Sequence, residues 1–136
     1  MLAMTNLPNN PTLQLYHVFK SSPSVGVVYL FGSQATGDTH ANSDYDFAIY
    51  FDEKNTVKRF ELLFDLAGKL SKILQTDKID VHSLNDLQSP ELKYNIISSG
   101  KVIFEREPYR IQIEPRILNE YFDFNYLLEK YGLTHK

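Results

Sequence analysis

The sequence predicts an α/β (α+β) domain, a small mixed β-sheet flanked by helices. Three observations carry that expectation. Short apolar runs alternate with stretches whose apolar residues recur every three or four positions. A chain of 136 residues supports one core and not two. Its hydrophobic fraction of 43% and aromatic fraction of 13% suit a packed globule rather than a disordered chain.

Taken in order, residues 11–20 read as a short helix, with Pro11 suited to a first turn and Leu15, Val18 and Phe19 on one side. Ser21-Ser22-Pro23-Ser24 is a turn cluster. Residues 25–31 are apolar on both faces, as a central strand should be. A polar connection at 34–43, with room for a helical turn, leads into a strand at 44–51 that buries Tyr45, Phe47, Ile49 and Phe51 on one side. Residues 57–74 form an amphipathic helix in which Phe60, Phe64, Ala67 and Leu70 recur at helical steps, as do Leu63, Leu66 and Ile73. Phe60 and Phe64 are expected in the core. A strand at 78–83 follows. Ser89-Pro90-Glu91 combines an N-cap, a first-turn proline and an acidic start, and Gly100 supplies a stop. Residues 101–105 make a short peripheral strand, and 115–130 a last helix. With no repeat or internal linker, residues 1–136 are one domain.

Composition excludes several functions. There is no cysteine, so neither disulfides nor thiolate metal sites arise. No run approaches the ~18 apolar residues of a membrane span. The N-terminal residues lack the charged start and apolar stretch of a secretory signal, which points to a cytoplasmic protein. The net charge is −3, and Lys58-Arg59 is the densest basic pair. A protein that tracks nucleic acid presents a basic stripe, so polynucleotide extension is disfavoured and no direct nucleic-acid partner is expected.

The chemistry concentrates at Gly32-Ser33, followed after residues 34–43 by Asp44-Tyr45-Asp46. Side chains two apart on a strand share a face, so Asp44 and Asp46 converge. Two like charges held that close call for a divalent cation, and oxygen ligands of this kind suit Mg²⁺ with substrate phosphates. The Gly-Ser turn offers amides and a hydroxyl to those phosphates. Asp80 is a third carboxylate, between Ile79 and Val81 and costly there without a partner. If its strand lies beside 44–51, it joins the other two. His82 shares its face but reads as a polar strand neighbour. His40 reads as a solvated loop residue and Asp52-Glu53 as a solvated turn.

These elements together resemble the nucleotidyltransferase superfamily that includes DNA polymerase beta, above all its minimal, single-domain (MNT) branch. The resemblance runs from Val25 to about Ser99 and rests on Gly32-Ser33, Asp44/Asp46 and the later carboxylate Asp80. It implies that Asp44 and Asp46 hold two Mg²⁺ ions, with Asp80 completing the second ion's shell and helping to remove the proton from the incoming hydroxyl, and that Gly32 and Ser33 bind the nucleotide. Close minimal relatives often carry arginines just after the Gly-Ser, where this chain has Gln34-Ala35-Thr36-Gly37. The resemblance further implies an antitoxin paired with a helical HEPN ribonuclease toxin, attaching AMP from ATP to a tyrosine hydroxyl of that partner. Two other outcomes stay open. One is a non-catalytic antitoxin acting by occlusion; the other is a nucleotidyltransferase for a small molecule such as an aminoglycoside.

The C-terminal stretch 106–136 is expected to be helical. Tyr109, Tyr121, Phe122, Phe124, Tyr126 and Tyr131 are dense for a chain end with no second core. They either fold back on the sheet or form a partner surface, since aromatics favour interface cores.

Overall fold

A computed structural model describes residues 11–32 and 45–133. Helix α1 (Pro11–Lys20) leads into strand β1 (Val25–Phe31), and strand β2 (Tyr45–Phe51) into helix α2 (Thr56–Leu74). Strand β3 (Ile79–Ser83) runs into a single 3₁₀ turn at Leu84–Asp86. Helix α3 (Pro90–Ser99), strand β4 (Lys101–Glu105) and helix α4 (Tyr109–Lys130) complete the order. The sheet is ordered β3-β2-β1-β4 and is mixed: β1 pairs antiparallel with β2 and β4, whereas β2 and β3 run parallel. The expected small mixed sheet with flanking helices is what forms.

Alternation along the strands assigns each face. On one, Phe47, Ile49 and Phe51 of β2 pack with Phe19 of α1, Leu66 and Leu70 of α2, and Phe104 of β4; Tyr45, Ile79 and Val81 close its margin. On the other, Tyr29 and Ala48 pack with Ile96 of α3 and with Ile113 and Ile117 of α4. A register shift between Val25 and Val27 turns those two valines to opposite clusters, so β1 is apolar throughout because both of its faces are covered.

Local chemistry sets the helix ends. Asn55 caps α2 by accepting from the Lys58 amide, and Ser89 caps α3 by accepting from the Leu92 amide, with Pro90 in the first turn. Arg106 donates to the carbonyls of Val25, Phe19, Lys20 and Ser22, gathering the chain between α1 and β1 under one guanidinium. Among the described residues, no helix is long and apolar enough to cross a membrane.

Three expectations are corrected. Phe60 and Phe64 are 48% and 81% exposed rather than core. The stripe of α2 that faces the sheet runs through Arg59, Leu63, Leu66 and Leu70, and the two phenylalanines lie further round the helix. The last helix begins at Tyr109, with Pro115 inside it. Ile113 and Ile117 bury one face across the proline, and Arg110 pairs with Glu114 one turn on, so packing outweighs the lost backbone bond. Asp52 is bonded rather than only solvated, accepting from the Tyr109 hydroxyl.

Candidate active site

The site is built where β1 ends and where β2 and β3 begin. Gly32 follows β1 with φ at +78°, in the left-handed region, and a Cβ on it would stand 2.5 Å from Oδ2 of Asp46. Only glycine meets both conditions without strain. Phe31 is the antiparallel partner of Asp46, so the turn leaves the sheet directly beside that carboxylate.

The parallel pairing of β2 with β3 sets Asp46 opposite Asp80 and Ala48 opposite His82. Since Tyr45, Phe47, Ile79 and Val81 turn to the α1/α2 cluster, Asp46, Asp80 and His82 turn to the other face. One ligand atom from each of the three lies within 4.8 Å of the other two. Asp80 is exposed, and Asp46 and His82 are half-buried. Two carboxylates at that spacing repel by about 1 kcal/mol even in water. A divalent cation relieves this, and the donor set of two carboxylates and an imidazole fits one.

The frame behind β3 is an ion pair. Arg59, buried on α2, donates through Nε to Asp86 Oδ2 at 2.9 Å and through Nη2 to Oδ1 at 2.7 Å. Its remaining donors reach the Glu53 carbonyl and the Thr56 hydroxyl, and Ser83 donates to Asp86 at 2.6 Å. The Arg59 hydrogen bond holds the Asp86 carboxyl below its ordinary range, against the opposing effect of burial. Asn85 bonds both the amide and the carbonyl of Phe51, stitching the 3₁₀ turn to the end of β2. The register that aligns Asp46 with Asp80 is therefore fixed at the far end of both strands.

Gly32, Asp46 and Asp80 thus come together, while Ser33 and Asp44 lie outside the described residues. His82 joins them although the sequence assigned it no chemistry; the signal was its place two residues beyond Asp80 on one strand face. A cavity of about 510 Å³ lies elsewhere, lined by Glu105, Glu107, Pro108, Arg110, Ile111 and Glu114. With three carboxylates to one guanidinium, its walls are ill suited to a triphosphate.

Comparisons with known proteins bear on the fold and the family. The family model "Polymerase beta, Nucleotidyltransferase" matches residues 14–109. The chain is 36% identical over 91 residues to the protein adenylyltransferase MntA of Aphanizomenon flos-aquae, covering 61% of this chain and 59% of that protein. It thus spans under two thirds of that relative's length. To the protein adenylyltransferase MntA of Shewanella oneidensis it is 29% identical over 102 residues, covering 74% of this chain and 68% of that one. Among solved structures, a toxin–antitoxin with AMP-PNP superposes with a TM-score of 0.67 at 24% identity, covering 92% of this chain and 95% of that chain. A complex of tri-AMPylated Shewanella oneidensis HEPN toxin with MNT antitoxin gives 0.62 at 21% identity, covering 94% and 95%. These two likenesses establish the fold. With the family model spanning residues 14–109, from α1 to the first residue of α4, the chain belongs to the polymerase beta nucleotidyltransferase family.

Proposed function

We propose that this chain is a protein adenylyltransferase antitoxin, transferring AMP from ATP to a tyrosine hydroxyl of a partner HEPN toxin in the cytoplasm. The observation that carries it is the Asp46–Asp80 rung beside Gly32, a carboxylate pair facing a turn that only glycine can make. The names of the two curated relatives and of the superposed toxin–antitoxin complexes supply the substrate class and the partner.

In this reading the tyrosine oxygen attacks the α-phosphorus, the bond to the bridging oxygen breaks, and pyrophosphate leaves with that electron pair. Asp44 and Asp46 would hold two Mg²⁺ ions and Asp80 would complete the second ion's shell; bound there, the metals would supply charge stabilisation to the attacking and leaving oxygens. Asp80, which is exposed, would also help take the proton from the incoming hydroxyl. Gly32 and Ser33 receive the nucleotide phosphates, Gly32 by letting the backbone come close. AMP added where a ribonuclease binds RNA phosphate would repel and obstruct that substrate.

The partner surface in this reading is the C-terminal part of the segment 106–136. Tyr121 stacks on Tyr94 with ring centroids 4.0 Å apart and so belongs to the fold. Phe122, Tyr126, Leu127 and Tyr131 stay exposed. That apolar end of α4 also fits a purely occluding antitoxin.

Intact mass of a HEPN partner after incubation with this chain, ATP and Mg²⁺ separates the two. AMP-sized increments, absent with an Asp44→Asn/Asp46→Asn double variant, support transfer. A silenced partner of unchanged mass leaves occlusion.

A further inference from the structure

We propose that His82 is a protein ligand of the metal held by Asp46 and Asp80, so that this site gains affinity for Mn²⁺ relative to Mg²⁺. The inference rests on the transferase reading for the presence of a divalent cation, and on this chain's own geometry for the third donor.

The fold gives the imidazole that position. Asp80 and His82 are two apart on β3 and share a face, and β2 brings Asp46 to the same rung as Asp80. A ring nitrogen of His82 lies with the two carboxylate oxygens inside 4.8 Å. Ligands bound cis at about 2.1 Å stand roughly 3 Å apart, a difference that side-chain rotation closes. The residue across from His82 is Ala48, whose methyl leaves the space above the sheet to the ring. Phe31 flanks it with ring centroids 5.7 Å apart and planes tilted by 52°. That contact packs the imidazole against the residue that is the antiparallel partner of Asp46. Among the described residues, none is hydrogen-bonded to the His82 ring, so its nitrogens are not committed within the sheet.

The chemistry follows from the donor set. Mg²⁺ favours an all-oxygen octahedron, and a nitrogen in place of one oxygen is of little use to it. Mn²⁺ accepts the same carboxylates and, as a transition metal, also gains from imidazole. A neutral imidazole ligates through either ring nitrogen.

The test loads the full chain with Mn²⁺ and inorganic tripolyphosphate, a nitrogen-free stand-in for the nucleotide tail, and reads pulsed electron paramagnetic resonance. The expected result is imidazole ¹⁴N coupling to Mn²⁺ that becomes ¹⁵N coupling in protein grown with ¹⁵N-histidine, which needs no substitution. The coupling should vanish in His82→Gln and persist in His40→Gln. In competition binding, His82→Gln should weaken Mn²⁺ about tenfold, as loss of a group supporting a metal does, while Mg²⁺ moves less than about threefold. Mn²⁺ bound without nitrogen coupling, or with coupling that survives His82→Gln, overturns the proposal and leaves the transferase reading intact. No Mn²⁺ binding at all overturns both.

Discussion

Gly32 and the Asp46 carboxylate are so close that a methyl on the glycine would stand 2.5 Å from Oδ2, and the glycine's φ is +78°. Turn and carboxylate are shaped to each other. Gly32→Ala must therefore strain its backbone and push the Asp46 carboxylate aside. The strain should cost about 1–2 kcal/mol in urea unfolding. Displacing a catalytic group by about 1 Å costs on the order of a hundredfold in rate. The expected outcome is a folded protein with a modestly lower midpoint and AMP transfer near background, read by denaturation and by partner mass.

Asp80→Asn separates catalysis from stability in the other direction. Asp80 is exposed and, among the described residues, no side-chain hydrogen bond depends on it, so stability should move by no more than about 0.5 kcal/mol. In the transferase reading, removing one carboxylate of the proposed metal-binding set should lower transfer by about a hundredfold or more, given the charge stabilisation such sites provide. Thermal melting beside a transfer assay checks both. Loss of activity with loss of fold would mean that Asp80 is structural.

Period-two alternation placed Phe47, Ile49 and Phe51 on one face and Asp46 on the other, because a strand has only two faces. Asp80 could be paired with Asp46 only conditionally, since strand adjacency is a tertiary fact; the Arg59–Asp86 bridge and the Asn85–Phe51 bonds that fix it join residues 27 and 34 apart. Phe60 and Phe64 are exposed against the sequence expectation because a helix with two apolar stripes does not say which one meets the sheet. Pro115 reads locally as a helix start because local propensity cannot see Ile113 and Ile117 packed across it.

The Arg59–Asp86 bridge makes the fold acid-sensitive. Hydrogen bonding from Arg59 depresses the Asp86 pKa in the folded protein. The unfolded carboxyl has the higher value of about 3.9, so the unfolded state binds a proton first as pH falls. The bridge's contribution is therefore complete above about pH 5 and is lost as pH drops through the folded pKa. Urea midpoints at neutral pH and at pH 3 should converge in Asp86→Asn more than in the parent. Arg59→Met at neutral pH leaves the carboxylate without its main partner and should cost about 3 kcal/mol.

At the alkaline end the sensitive group is Tyr29. Its side chain is fully buried and its hydroxyl donates to Glu114 Oε2 at 2.7 Å, with Arg110 on the same oxygen. Burial first, and the neighbouring Glu114 carboxylate second, push its pKa far above the ordinary phenol range. Below about pH 10 both states keep the proton and the group has no pH dependence. Above that the unfolded chain releases it while the folded chain does not, so ionisation favours unfolding and stability falls with each further rise in pH. Tyr29→Phe should lose about 1 kcal/mol at neutral pH, the worth of one hydrogen bond. Its stability curve should then run flatter than the parent's from pH 9 to 11. Equal slopes in urea titrations across that range would mean that Tyr29 ionises as readily folded as unfolded, and would remove the Tyr29–Glu114 bond from any account of how α4 is held to β1.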